Sequence, residues 1–273
     1  NVSYERGKNG KKDKLVGPYK CYIPAGKEVF LGYDGSGLEL RMLVHYLVKE
    51  CIDMMEEAKL ENDKAKYIRA EKGLEAAYTY RDVLLSGDIH SHNQKLAGLP
   101  TRDGAKTFIY GFLYGAGAAK IGEIVGGGSQ EGEILRERFL AECPCIPIVL
   151  ERVQARAESG TLEGVDGRKL TMRRDATGKV MVHKALNTLL QSAGAIVMKY
   201  SILFTNKWVE QQGIRGNKVI DYHDEAQWSI HRSDVDKMKK IAETCVKKAG
   251  EYLNMHCELA SDCKIGLNWM QTH

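Results

Sequence analysis

A buried β-strand needs ladder partners for its backbone, and this chain supplies one strand long before it supplies any partner. The run "EVFLGYDGSG" is continuously apolar from Val29 to Tyr33 and ends in a turn at Gly35 and Gly37. Helical patterns then fill the chain almost to residue 160. The next clear strand signal outside a basic hairpin is "VIDYHDEAQWSI", residues 219–230, in which two short strands flank a cluster of acids. The strands at the two ends of the sequence therefore form one small sheet, with the helical middle as an insertion above it. That is an α+β arrangement.

The insertion reads in order. "LELRMLVHYLVKECIDMMEEA" spaces its apolar residues as a long amphipathic helix, and a polar, helix-prone stretch continues to about Leu85. Pro100 and an N-capping Thr101 open a helix that runs to about Tyr114. "GGGSQEGEILRERFLAEC" is a glycine loop and a helix, and Pro144 and Pro147 interrupt the chain before a helix over roughly 147–158. Glycines 160, 164, 167 and 178 predict a hairpin over 160–183, basic through Arg168, Lys169, Arg173, Arg174 and Lys179. "ALNTLLQSAGAIVMKYSILFTNKWVEQQ" is a long buried helix, and "DVDKMKKIAETCVKKAGEYLN" is an amphipathic one.

Composition narrows the class without deciding it. With 43% hydrophobic and 28% charged residues the chain is of globular type. A net charge of +4 permits a nucleic-acid partner without requiring one. Residues 1–26 carry Lys8, Lys11, Lys12, Lys14 and Lys20 and show no period, so they are either a solvated arm or one that contacts nucleic acid. No run approaches the ~20 apolar residues of a membrane span, and no secretory signal opens the chain. Seven cysteines, an odd number, read as reduced thiols of a cytosolic protein. Cys143-Pro-Cys145 lacks a second Cys/His pair at zinc spacing. A first residue of Asn1 points to a processed chain, a fragment or a trimmed one.

Two stretches carry chemistry. Asp224 and Glu225 are adjacent in a strand-like segment, where acids are depleted and repel one another. A bound cation would offset that repulsion. Asp34 either caps the helix beginning near Leu38 or joins Asp224 across neighbouring strands, where two carboxylates can hold two Mg²⁺ ions roughly 3.5–4 Å apart. In "RDGAKTFIYGFLYGAG", Arg102, Lys106, Tyr110 and Tyr114 recur every fourth residue on one helix face. That stripe is either a solvated face with half-buried tyrosines or a grip for a polyphosphate, with Gly111 letting a planar group come close.

Taken in order, "DGSGLELR", "DIHSHNQKLAGLPTRDGAKTFIYGFLYGAG", "DGRK", "ALNTLLQSAGA" and "HDE" resemble family A DNA polymerases, most closely those of T-odd bacteriophages. The likeness runs from about Leu31 to the closing "LNWMQTH". It implies a right-hand polymerase fold: a basic arm over 1–26, an antiparallel palm sheet from 27–57 and 186–273, and a large helical fingers insertion over 58–185 that includes the basic hairpin. The resemblance makes Asp34, Asp224 and the Gly35 carbonyl the ligands of two Mg²⁺ ions (Mn²⁺ can substitute), with Glu225 a supporting acid. It assigns Arg102, Lys106 and His90 to the triphosphate of a dNTP, together with the Ser36–Gly37 turn. Glu39 becomes the gate against a 2′-hydroxyl, Tyr110 the ring under the incoming sugar and Tyr114 the ring near the templating base. Gly111, Arg168, Asn187, Gln191 and His223 are implied contacts of primer–template DNA.

The same likeness implies that the fingers helix closes onto the nucleotide before chemistry. The family's commonest motif has Asn-Phe where this chain has Ile109-Tyr110, which implies ready use of dideoxynucleotides. Nothing corresponds to a thumb or a 3′–5′ exonuclease, so a companion chain or a missing N-terminal region is expected to supply them. Without a thumb, the grip on duplex DNA is expected to be weak and salt-sensitive. The expected location is cytoplasmic, that of the bacterial host if the chain is phage-encoded. Two other readings remain: a primer–template-binding subunit without catalysis, and a single-subunit RNA polymerase.

Overall fold

The computed structural model describes residues 3–6, 12–16 and 26–273. Along the chain these form β1 (Ser3–Arg6), β2 (Lys12–Val16), β3 (Glu28–Gly35), α1 (Leu38–Glu61), α2 (Lys64–Ser86), α3 (Ile89–Ala97), α4 (Arg102–Leu113), α5 (Ala118–Gly122) and α6 (Ser129–Glu142). There follow α7 (Cys145–Ala157), β4 (Thr161–Glu163), β5 (Lys169–Thr171), α8 (Ala185–Gln211), β6 (Gly216–Tyr222), β7 (Glu225–His231), α9 (Val235–Tyr252), β8 (Ser261–Gly266) and α10 (Trp269–Thr272). Of the basic arm, β1 and β2 pair antiparallel, while Lys8, Lys11 and Lys20 lie outside the described residues. The chain divides into two compact units: Asn1–Leu38 with Gly194–Asn254 and Glu258–His273, and Glu39–Ala193 with Met255–Cys257.

The first unit is built on a four-stranded antiparallel sheet in the order β6-β7-β3-β8. The strand from the start of the chain thus lies between two strands from its end, as the α+β pattern requires. Val29 to Tyr33 are all buried, which explains a continuous apolar run in place of alternation. α9 lays Met238, Ile241, Ala242, Cys245, Val246 and Ala249, all fully or almost fully buried, on this sheet. Gly32 keeps the centre of the sheet thin. A Cβ there would lie 2.3 Å from Gln227 Nε2 and 2.7 Å from the Thr272 carbonyl, so glycine lets Gln227 of β7 and α10 close over β3. β8 was not expected from sequence, because its six residues "SDCKIG" are half-exposed and mostly polar.

The second unit is helical apart from the β4–β5 hairpin. α1, α2 and α7 share an ion-pair network. Arg152 forks Glu57 with two hydrogen bonds of 2.7 Å and donates Nε to Glu50 at 2.9 Å, and Arg156 forks the same Glu50. Lys66 of α2 reaches Glu57 at 3.0 Å. α4 is held against α6 by Phe108 and Phe112, whose rings meet Phe139 edge-on at 5.2 and 5.3 Å. α7 begins at Cys145, two residues before the start expected near Pro147. Pro147 sits in the first turn of α7, where its missing N–H would have had no helical partner.

α5 and α6 touch backbone to backbone. A Cβ on Gly132 would lie 1.8 Å from the Ala118 carbonyl, and one on Gly122 would lie 1.8 Å from the Gly128 carbonyl. Gly132→Ala is expected to destabilise this unit by about 1–3 kcal/mol through overpacking. Thermal unfolding reads the effect, and an unchanged midpoint would mean that the helices do not approach so closely. Among the described residues no helix is long and apolar enough to cross a membrane.

Candidate active site

In the first unit the acids converge on one end of the sheet. Asp34 does not cap α1: it lies inside β3, facing Glu225 of β7 on one side and Asp262 of β8 on the other. Residues directly opposite in a ladder share a face, so three acidic residues occupy neighbouring positions at this end of the sheet. His223 and Asp224 form the two-residue turn between β6 and β7 and are both exposed. His223 takes φ +54° there, a left-handed conformation that His tolerates better than most residues. Burial pushes the Asp34 carboxyl above the usual carboxylate range. Lys264 pulls it back, and the charges of Asp262, Asp224 and Glu225 push it further up.

Glu225 is a different kind of acid. It is buried, and Trp269 Nε1 and Gln227 Nε2 donate to its Oε1, the latter at 2.7 Å. His273 Nδ1 contacts its Oε2. A carboxylate so tied holds the sheet end and α10 together, which suits a supporting role. Among the described residues no three His, Cys, Asp or Glu side chains gather closely enough to make a metal-binding group. The donors at the sheet end nevertheless fit Mg²⁺, which takes hard oxygens from one or two carboxylates and leaves the rest to water and substrate. A divalent cation would also offset the repulsion that Asp34 experiences. Gly35 ends β3, and Ser36 and Gly37, the latter at φ +56°, turn the chain into α1, with the Ser36 N–H donating to the Ala260 carbonyl at 3.0 Å.

In the second unit the cations converge on the start of α4. The Thr101 hydroxyl caps the helix, accepting the Gly104 N–H at 3.0 Å. Arg102 is its first residue, Lys106 lies one turn on, and both are exposed. His90, in the first turn of α3, joins them. Its ring is 6.4 Å from that of Tyr110, and its pKa is lowered by burial and then by the charges of Arg102 and Lys106.

A second cluster joins Glu39, Tyr114 and Gln191. The Tyr114 hydroxyl donates to Glu39, and Gln191 Nε2 donates to both at 3.2 Å. Lys184 Nζ holds the Tyr114 carbonyl at 2.7 Å. Burial and the Glu39 hydrogen bond push the Tyr114 hydroxyl up to about 12, and burial followed by the Glu39 charge raises that of Tyr110. Asn187 lies half-buried one turn before Gln191. A Cβ on Gly111 would meet only Ala116, at 3.8 Å. Arg168 stands apart in the exposed β4–β5 turn, bound to Asp166 in a two-point contact at 2.9 and 2.7 Å.

Residues 10–271 match the model of the family described as DNA polymerase family A. The chain belongs to DNA polymerase family A. Among its family A relatives, a DNA-directed DNA polymerase of Escherichia phage Phieco32 is 71% identical over 273 residues, 100% of this chain and 44% of that protein. A DNA-directed DNA polymerase of Escherichia phage T7 is 34% identical over 264 residues, 89% of this chain and 33% of the relative. A solved POL domain of Pol1 from M. smegmatis, in complex with DNA primer-template and dNTP, shares the fold with a TM-score of 0.72 at 16% identity. That match covers 93% of this chain and 42% of the solved one. The chain spans less than half the length of these family A proteins. The expected α+β polymerase fold and the likeness to T-odd phage polymerases are both borne out.

Three features of the candidate site are not legible in the sequence. Asp262, which β8 places beside Asp34, is not marked in the sequence because β8 has no apolar alternation, although an acid in a short closing segment is a faint signal. Trp269 and His273, which hold Glu225, carry no signal of that contact in the closing "LNWMQTH". Asp88, bonded to Arg102, stood unremarked in "DIHSH".

Proposed function

We propose that the chain is the palm and fingers part of a DNA-directed DNA polymerase that adds dNMP to a primer 3′-hydroxyl, with residues 27–57 and 186–273 as palm and 58–185 as fingers. In this reading the hydroxyl gives up its proton to solvent as its oxygen attacks the α-phosphorus in line, the bond from that phosphorus to the oxygen bridging to the β-phosphate breaks, and pyrophosphate leaves. The observation that carries it is the crowding of Asp34 by Asp224, Glu225 and Asp262 at one sheet end, an arrangement that a divalent cation would relieve. Asp34, Asp224 and the Gly35 carbonyl are the residues that would hold Mg²⁺. When bound, the ions supply Lewis-acid activation of the hydroxyl and neutralise charge on the phosphates.

Arg102, Lys106 and His90 bind and orient the triphosphate in this reading, and the mutual proximity of the three supports it. Tyr110 lies under the sugar. Glu39 crowds a ribose 2′-hydroxyl, and its bonds to Tyr114 and Gln191 give the gate a fixed place in the second unit. Gly111, Asn187, His223 and Arg168 meet the DNA, although Arg168 must first leave Asp166. Polypeptide beyond this chain supplies the thumb and any exonuclease, which accords with its covering 44% of the Phieco32 relative.

Primer extension with Mg²⁺ and four dNTPs, with and without the polypeptide corresponding to the rest of that relative, tests the proposal. Template-dependent extension in either arm is expected. DNA binding with no extension in both arms would favour the non-catalytic subunit, and a preference for rNTPs the RNA polymerase. A further outcome concerns Tyr110, whose hydroxyl can stand in for a missing 3′-hydroxyl. Tyr110→Phe is expected to raise discrimination against ddNTPs by at least about tenfold, roughly the worth of one charge-assisted hydrogen bond. Equal ddNTP/dNTP ratios before and after the change would refute that role.

A further inference from the structure

We infer that Asp88 is a positioning residue for the nucleotide: one carboxylate aims Arg102 and fixes the helical turn that carries His90. The inference rests on the assignment of Arg102 and His90 to the triphosphate. Asp88 is the N-cap of α3, and its Oδ1 accepts the N–H groups of His90 at 3.1 Å and Ser91 at 3.3 Å. Its Oδ2 accepts the Ser91 hydroxyl at 2.8 Å and Arg102 Nε at 2.6 Å. One side chain thus ties the start of α3 to the start of α4, the two helix ends from which the candidate phosphate ligands project.

The route of the contact with Arg102 matters. A guanidinium offers its two Nη groups and its Nε as separate donors. Asp88 is bonded through Nε, which leaves the Nη pair to fork two phosphate oxygens. A carboxylate seated across the Nη pair would instead compete with the triphosphate. The pairing is mutual: hydrogen bonding from Arg102, then from Ser91, holds the Asp88 carboxyl well below the usual range, and Asp88 raises Arg102. Exposed ion pairs of this kind add little to stability, and an asparagine would cap the helix as well. The charge therefore has its use in aiming the cation.

Asp88→Asn separates the two roles, because Asn keeps the cap and loses the charge. The full chain is bound to a dideoxy-terminated primer–template, so that no chemistry occurs, and the Kd of the next correct dNTP is measured for wild type, Asp88→Asn, Arg102→Ala and the double variant. The ¹⁵Nε–¹H resonance of Arg102 serves as a readout of its orientation. Asp88→Asn is expected to unfold at the wild-type temperature, to move that resonance, and to weaken dNTP binding by about tenfold, the scale of one lost hydrogen bond to a charged group. Arg102→Ala is expected to weaken binding further, and Asp88→Asn to add little on top of it. Weakened binding in Arg102→Ala with none in Asp88→Asn would make Asp88 a cap only and overturn the inference. Tighter binding in Asp88→Asn would overturn it too, by making Asp88 a competitor. An unchanged Kd in Arg102→Ala would instead overturn the underlying phosphate assignment, and the inference with it.

Discussion

Asp34→Asn is expected to reduce primer extension by more than about a thousandfold while leaving the folded chain no less stable than wild type. The loss follows if Asp34 is the proposed charged ligand of a cation whose charge would stabilise the transition state by several kcal/mol, with about 1.4 kcal/mol for each tenfold in rate. The stability half follows from the surroundings of the carboxylate. Burial raises the Asp34 pKa, and Asp262, Asp224 and Glu225 add to the rise against the pull of Lys264. A carboxyl whose folded pKa lies above its unfolded one opposes folding when ionised, and that opposition disappears when the charge is removed. An amide of the same shape therefore relieves strain as it abolishes activity, the trade expected of a residue kept for function. Extension assays and thermal unfolding on the same preparation read both halves. A variant that retains activity would contradict the role of Asp34, and one that is inactive because it is unfolded would contradict the electrostatic account.

Glu50→Ala is expected to have the largest effect on stability, about 3 kcal/mol by urea unfolding. Glu50 is 1% exposed and receives hydrogen bonds from both Arg152 and Arg156. Removing one member of a buried pair costs about 3–5 kcal/mol because its partner is left uncompensated. The lower end applies here, because the Arg156 side chain is 45% exposed and can turn to water. The network also gives acid sensitivity a sign. Burial pushes the Glu50 carboxyl up, but the hydrogen bonds and charges of Arg156 and Arg152 outweigh that and hold it below the usual range. The Arg152 fork takes Glu57 down to about 2. Both folded pKa values lie below the unfolded ones, so the stabilisation is fully present above the ordinary carboxylate range and is lost as pH falls through it towards 2. A loss below about 1 kcal/mol in Glu50→Ala would mean that the pair behaves as a solvated surface bridge.

What could be read from sequence tracks how strongly each segment is patterned. β3, β6 and β7 were legible because a doubly covered strand must be apolar throughout and because an acid cluster marked a turn. Even so, β3 runs on through Asp34 and Gly35, beyond the end expected at Tyr33. β8 carries no apolar alternation, since an outer strand at the sheet edge has little to bury, and Asp262 went unseen with it. α3 is nine residues long and mostly polar, and its signals are short ones: the cap by Asp88 at its start and the left-handed Gly98 at its end. The α4 stripe was legible as a set of spacings, and the resemblance gave those spacings their roles. What neither could supply was the linkage: Asp88 on Arg102, Tyr114 on Glu39, and Trp269 with His273 on Glu225. Such contacts depend on which helix ends the fold brings together, and residue spacing does not carry that information.

The central claim is that Asp34 and Asp224 form one cation site. Electron paramagnetic resonance of Mn²⁺ added to the full chain with primer–template and dNTP tests it without depending on turnover. Bound Mn²⁺ is expected in wild type, with occupancy lost in both Asp34→Asn and Asp224→Asn. Mn²⁺ bound equally by all three proteins would contradict it.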